Sequence, residues 1–139
     1  MSHHPTDLLT PRILVVDDER QIHASLRLRL GGNYDLVFCF SAREALKLLE
    51  GHRFDLCFAD IHMPNMDGLA FIAAAAKIDQ DLGFVVLSAF DSDANLRRAI
   101  PLQVYEFIGK PLPERDGFEA RIPDWIERTR RRRHDHSLA

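Results

Sequence analysis

The chain has 139 residues, 46% hydrophobic and 28% charged, with a formal net charge of -3. That is enough chain and enough apolar content to bury one domain-sized core, and it excludes a disordered polymer. The charge gives no general reason to bind nucleic acid or an anionic membrane, and the longest apolar run, Leu69 to Ala76, is far too short to span a bilayer.

Residues 1–11, bounded by Pro5 and Pro11, read as a flexible leader, with His3 and His4 belonging to that tail rather than to a metal site. Met1 to Thr10 holds no apolar core of the signal-peptide kind, so a cytoplasmic protein is expected. Arg12 to Val16 reads as a short buried strand running into Asp17 and Asp18, and Glu19 to Leu30 as a helix ended by Gly31-Gly32. A second strand is expected over Asp35 to Phe40. Ser41-Ala-Arg-Glu44 is a capping box, in which the hydroxyl and the carboxylate satisfy free backbone N–H groups. The helix it opens carries Ala42, Ala45, Leu46 and Leu49 on one face.

Phe54 to Ala59 reads as a third strand whose apolar run stops at Asp60. A turn rich in Pro, Asn, Asp and Gly follows, and then a helix from Gly68 to Ile78. The fourth strand, Phe84 to Leu87, leads to Ser88 and the small Ala89; a fourth helix is capped by Asp91 or Ser92 and limited by Pro101. Val104 to Ile108 is the fifth strand, continuing through Gly109 into Lys110-Pro111. Pro113, Gly117 and Pro123 delay the last helix, which is placed at Trp125 to Arg133. The basic run Arg130 to Arg133 reads as a solvated helix end or linker rather than a nucleic-acid contact. With no repeat or second domain visible, residues 12–133 form one domain and residues 134–139 a tail. If strand one lies between strands two and three, Cys39 and Cys57 stand about 9 to 10 Å apart, beyond disulfide reach, and both are expected buried and reduced.

Strands alternating with helices imply an α/β fold with a parallel sheet covered on both faces, and sites in such sheets lie at the carboxyl ends of the strands. Asp17, Asp18, Asp60 and Lys110 all fall at that edge. Three neighbouring carboxylates resist joint ionisation unless a cation offsets them, and magnesium, which prefers oxygen ligands and keeps company with phosphate, suits them. Asp60 is then a nucleophile toward an activated phosphorus, forming an acyl phosphate, while the metal and Lys110 stabilise charge on the transferring group. Ser88 can hydrogen-bond a phosphoryl oxygen, with Ala89 leaving space beside it. Taken singly, Asp60 is a turn former, Asp17 and Asp18 are helix caps, and Lys110, Ser88 and Phe107 are a surface lysine, a strand-end hydroxyl and a core ring. Their joint arrangement is what favours a site.

The motifs Val15-Val-Asp17-Asp18-Glu19, Asp60-Ile-His-Met-Pro-Asn-Met-Asp-Gly68, Leu87-Ser88-Ala89 and Phe107-Ile-Gly-Lys110-Pro111, in this order and spacing, resemble the receiver domain of two-component response regulators. The resemblance covers roughly residues 12–111 and extends to the last helix. It implies a CheY-like, flavodoxin-like fold: a doubly wound five-stranded parallel sheet in the order 2-1-3-4-5. It implies that Asp60 accepts a phosphoryl group from a histidine kinase or histidine phosphotransfer protein and thereby switches a partner or output domain. Magnesium would be held by Asp18, Asp60 and the His62 backbone carbonyl, with Asp17 acting directly or through water; the His62 side chain itself is expected to face solvent. Ser88 and Phe107 match the family's switch pair, and the bond before Pro111 is expected cis. Such a domain assists only its own phosphorylation and dephosphorylation, with no direct nucleic-acid binding, no membrane contact, and a phosphorylation-dependent dimer left open. Three features depart from the family pattern: Gln103-Val104 replaces the usual small pair before the last strand, Pro101 shortens the preceding helix, and the segment after Pro111 is rich in Pro and Gly.

Two other classes compete. An aspartyl-nucleophile phosphatase would place two aspartates one residue apart after its first strand, whereas Asp17 and Asp18 are adjacent. An interaction module that keeps the fold without phosphorylation has no need of the complete acidic cluster and Lys110.

Overall fold

The computed structural model describes residues 10–89, 98, 103–114 and 117–138. Its strands are β1 (Arg12–Val16), β2 (Asp35–Cys39), β3 (Leu56–Asp60), β4 (Phe84–Ser88) and β5 (Val104–Gly109), all paired in parallel in the order β2-β1-β3-β4-β5. The described helices are α1 (Arg20–Leu30), α2 (Ala42–Leu49), α3 (Gly68–Ile78) and α4 (Ile122–Ser137), the last preceded by a 3-10 turn at Phe118–Arg121. This is the doubly wound α/β arrangement expected, with strand limits within two residues of those read from the sequence. The helix anticipated between Asp91 or Ser92 and Pro101 lies outside the described residues apart from the helical Arg98, as do Phe90 and residues 1–9 of the leader.

Each strand alternates between two cores. Leu14, Val16, Cys57, Ala59 and Val86 meet the apolar faces of α2 and α3 on one side. Ile13, Val15, Leu56, Phe58, Val85 and Leu87 meet α1 and α4 on the other. The three inner strands β1, β3 and β4 are therefore largely apolar on both faces, as a parallel sheet covered by helices requires. The capping box works as read, with Ser41 Oγ accepting from the Glu44 N–H at 3.1 Å, while the Glu44 carboxylate reaches one residue further back, to the Phe40 N–H at 3.0 Å. Cys39 and Cys57 are buried free thiols on the same side of the sheet, and burial pushes Cys39 up to about 12.

β5 carries an irregularity that its sequence does not announce. Phe84 faces Val104 but Val85 faces Glu106, leaving Tyr105 as an extra residue. A bulge of this kind shifts the alternation by one. Val104 and Phe107, three residues apart, consequently pack against the same core, while Tyr105 and Ile108 join the opposite one. Gly83 makes room for the bulge, since a β-carbon there would stand 2.1 Å from the Tyr105 ring.

The basic run Arg130–Arg133 is not a solvated helix end. Arg130 pairs with Asp55 at 2.9 Å, and Arg133 bonds both oxygens of Asp79 at 2.9 and 3.0 Å and the Phe54 carbonyl at 2.6 Å. Arg132 donates to the Asp81 carbonyl at 2.6 Å and the Tyr105 hydroxyl at 2.7 Å, whereas Arg131 faces solvent and pairs with Glu127. The amino-terminal edge of the sheet presents Asp55, Asp79 and Asp81 with open carbonyls, and α4 lays its arginines across them. The helix also outruns its expected limits, starting at Ile122 with Pro123 in its first turn, where a proline lacks no needed N–H, and continuing to Ser137 beyond the contact of His136 with Asp81.

Candidate functional site at the carboxyl edge of the sheet

Asp60 is the last residue of β3 and only 2% exposed. What holds it is the turn that follows. Oδ1 accepts from the His62 N–H at 3.0 Å, Asn65 adopts the left-handed backbone that asparagine tolerates, and the Gly68 N–H returns to the Ile61 carbonyl at 3.1 Å. Asp67 then caps α3, its Oδ1 accepting from the Ala70 N–H at 2.8 Å.

β1 brings the second group. Asp17 is completely buried, its N–H bonded to the Cys39 carbonyl at 3.1 Å and its Oδ1 accepting from the Glu19 N–H at 2.8 Å. Asp18 and Glu19 follow as exposed side chains. Lys110 directly follows β5, its N–H bonded to the Ser88 carbonyl at 2.8 Å and its bond to Pro111 cis, as expected. Its ammonium lies 2.8 Å from Asp17 Oδ2, 2.7 Å from Glu19 Oε1 and 3.3 Å from Asp60 Oδ2. Of the site residues read from the sequence, Asp17, Asp18, Asp60 and Lys110 come together. Glu19, which closes the first motif and by sequence marks the start of a helix, joins them on equal terms. Its position directly after the acidic pair was the available signal.

Charge dominates this cluster. Burial, with the Asp60 charge adding to it, pushes the Asp17 carboxyl up to about 6, against the opposing pull of Lys110 and the Glu19 N–H. Burial pulls Lys110 down, but Asp17, Glu19 and Asp60 outweigh it and hold the ammonium above the usual lysine value. Beneath the site the imidazole of His23 is buried against the rings of Phe38 and Phe40, at 5.0 and 4.4 Å between centroids, and burial holds it below the usual histidine range. One ammonium facing four carboxylates leaves a deficit of positive charge. Ligand oxygens of Asp17, Asp18, Glu19 and Asp60 all lie within 4.8 Å of one another. An all-oxygen set at that spacing fits a hard divalent cation such as magnesium.

Ser88 is buried at the end of β4, one residue beyond the Asp60–Leu87 pairing. By alternation it shares a face with Val86, and Val86 pairs with Phe107, so Ser88 and Phe107 occupy the same side of neighbouring strands. Phe107 is half-buried against the core formed with α2 and α3. The bulge at Tyr105 is what puts it there. The side chain of His62 is exposed, as expected.

Residues 13–121 match the family model described as response regulator receiver domain. The transcriptional regulatory protein GlrR of Escherichia coli is 31% identical over 130 residues, which span 93% of this chain but 28% of GlrR. The chain thus corresponds to well under half of that relative. Among solved structures, a CheY-like response regulator receiver domain protein from Methanospirillum hungatei superposes with a TM-score of 0.79 and 26% identity, covering 88% of this chain and 98% of the other. The response regulator TrrA from Thermotoga maritima, solved in complex with Mg(2+)-BeF, gives a TM-score of 0.73 and 26% identity, covering 84% of this chain and 99% of TrrA.

Proposed function

This chain belongs to the family of response regulator receiver domains of two-component systems, and from that premise we propose that it is a phosphorylation switch whose acceptor is Asp60. The observation that carries the proposal is the Asp60 carboxylate itself: buried at the end of β3, 3.3 Å from the Lys110 ammonium and inside a cluster of acidic oxygens. An oxygen of Asp60 attacks the phosphorus of an activated donor, the bond from phosphorus to the leaving group breaks with its electron pair going to that group, and an acyl phosphate remains on Asp60.

Magnesium, when bound, would offset the carboxylates and draw charge from the phosphoryl oxygens. Asp17, Asp18, Asp60 and the His62 backbone carbonyl would hold it. Lys110 offers a fixed positive charge to the incoming group, and the Ser88 hydroxyl donates to a phosphoryl oxygen. Movement of Ser88 opens space on the face that Phe107 shares, and the ring turning inward carries the change to β5.

The donor in this reading is a histidine kinase or histidine phosphotransfer protein, and the receiver of the signal is a partner or output domain. GlrR is named a transcriptional regulator, but this chain spans 28% of it, and the proposal keeps nucleic acid out of direct contact with residues 12–133. A cytoplasmic location, a phosphorylation-dependent dimer and assistance limited to its own phosphorylation and dephosphorylation belong to the same reading. Among the described residues no helix is long and apolar enough to cross a membrane. Incubation with acetyl phosphate and magnesium tests the proposal: one phosphoryl group incorporated, and none after chelation, supports it, and no incorporation in either case contradicts it.

A further inference from the structure

Lys110 is held by a carboxylate to which phosphoryl transfer assigns no task. Glu19 Oε1 stands 2.7 Å from the ammonium, nearer than Asp17 at 2.8 Å or Asp60 at 3.3 Å. Glu19 is the N-cap residue of α1, yet its side chain makes no capping bond. Its reach toward Lys110 is therefore not a by-product of starting the helix. The two partners differ sharply in exposure, with the lysine side chain 7% and the glutamate side chain 54% exposed.

We propose that Glu19 is a positioning residue for Lys110: a competing counter-ion that holds the ammonium in the unphosphorylated domain and releases it when a phosphoryl group arrives on Asp60. The inference rests on the acceptor reading of Asp60. An ammonium has three N–H donors, and three carboxylates lie within reach of this one. A phosphoryl group on Asp60 brings further charge and strong acceptor oxygens beside the same ammonium, so one existing partner has to give way. Asp17 is buried and tied through its other oxygen to the Glu19 N–H at 2.8 Å, and leaving Lys110 would strand it without solvent. Asp60 carries the phosphoryl group. Glu19 is half in water on a long flexible side chain, so it is the partner that departs at least cost.

A role as a magnesium ligand would use the same carboxylate but predicts the opposite response to losing its charge. Glu19→Gln keeps the length and an acceptor oxygen for Lys110 while removing the charge. The test is a titration of the whole chain with beryllofluoride, a phosphoryl mimic, at saturating magnesium, beside a titration with magnesium alone. Glu19→Gln should bind beryllofluoride about threefold more tightly, the size expected of one charge a few ångströms away with solvent screening. Magnesium affinity should fall by no more than about threefold, the loss one screened charge predicts, and the beryllofluoride gain should shrink at high salt, which a merely structural effect would not do. Unchanged or weaker beryllofluoride binding overturns the inference, and so does a loss of magnesium affinity of about tenfold or more, the size expected of a lost ligand, which would make Glu19 a metal ligand. Asp60→Asn should bind no beryllofluoride; if it does, the acceptor reading fails on its own account and the Glu19 inference falls with it.

Discussion

Gly68 packs so closely against Asp60 that a β-carbon on it would stand 2.0 Å from the Asp60 carbonyl oxygen and 2.5 Å from Ile61 Cα. Both are backbone atoms, which have no rotamer to retreat into. Gly68→Ala should therefore push the end of β3 out of place and cost about 1–3 kcal/mol of stability, the range for overpacking a tight site. Gly51→Ala is the control, because nothing lies within 4 Å of the position its β-carbon would take. Urea denaturation of the two variants measures the difference, and equal stabilities would contradict the packing account.

Asp67 links the acceptor turn to α3 by accepting from the Ala70 N–H at 2.8 Å, and its second oxygen lies 3.5 Å from Arg98. Partial burial pulls its pKa up, but the Ala70 N–H and Arg98 outweigh it and hold the carboxyl below its ordinary value of 3.8. Because the folded value is the lower one, the contribution to stability is complete above the ordinary value and fades as the pH falls through the lowered one. Asp67→Ala should cost about 1 kcal/mol at pH 7, as lost helix caps do, and less toward pH 3. A cost independent of pH would mean that the charged carboxylate is not what caps the helix.

Asp18 and Ser88 both lie at the edge but are assigned different work. Asp18→Ala removes a charged oxygen ligand and should weaken magnesium binding by tenfold or more, about 1.4 kcal/mol. Ser88→Ala should leave it nearly unchanged while shortening the life of the phosphorylated state. Equal magnesium affinities for the two variants would count against these roles.

Phe107 shares a face with Ser88 because Tyr105 is bulged out of the β4–β5 pairing. Beryllofluoride should accordingly shift amide and ring signals at Phe107 and along β5 as well as at Asp60. In Phe107→Ala the response should stop near the acidic cluster. If the wild-type response is already confined to the residues lining that cluster, the domain binds the mimic without signalling through β5.

Local rules made most of this architecture legible. Apolar runs ending in Asp17, Asp60 and Lys110 locate three strand ends, and the Ser41–Glu44 box locates the start of α2. What stayed hidden depends on contacts distant in sequence. The Tyr105 bulge uses the room that Gly83 leaves just before the neighbouring strand. The arginines of α4 look like a solvated run until Asp55, Asp79 and Asp81, some 50 to 80 residues away, are brought beneath them. Glu19 looked like the first residue of a helix because its partner, Lys110, is 91 positions further along.

The central claim is that Asp60 is the phosphoacceptor, and mapping the site of modification tests it most directly. Wild-type protein and Asp60→Asn are incubated with acetyl phosphate and magnesium, weighed intact, and the labelled peptide is then located by reductive trapping of the acyl phosphate. The account predicts one phosphoryl group on the wild type, trapped at Asp60, and none on Asp60→Asn or after chelation of magnesium. Stable labelling of Asp60→Asn, or wild-type label trapped at another residue, would contradict it.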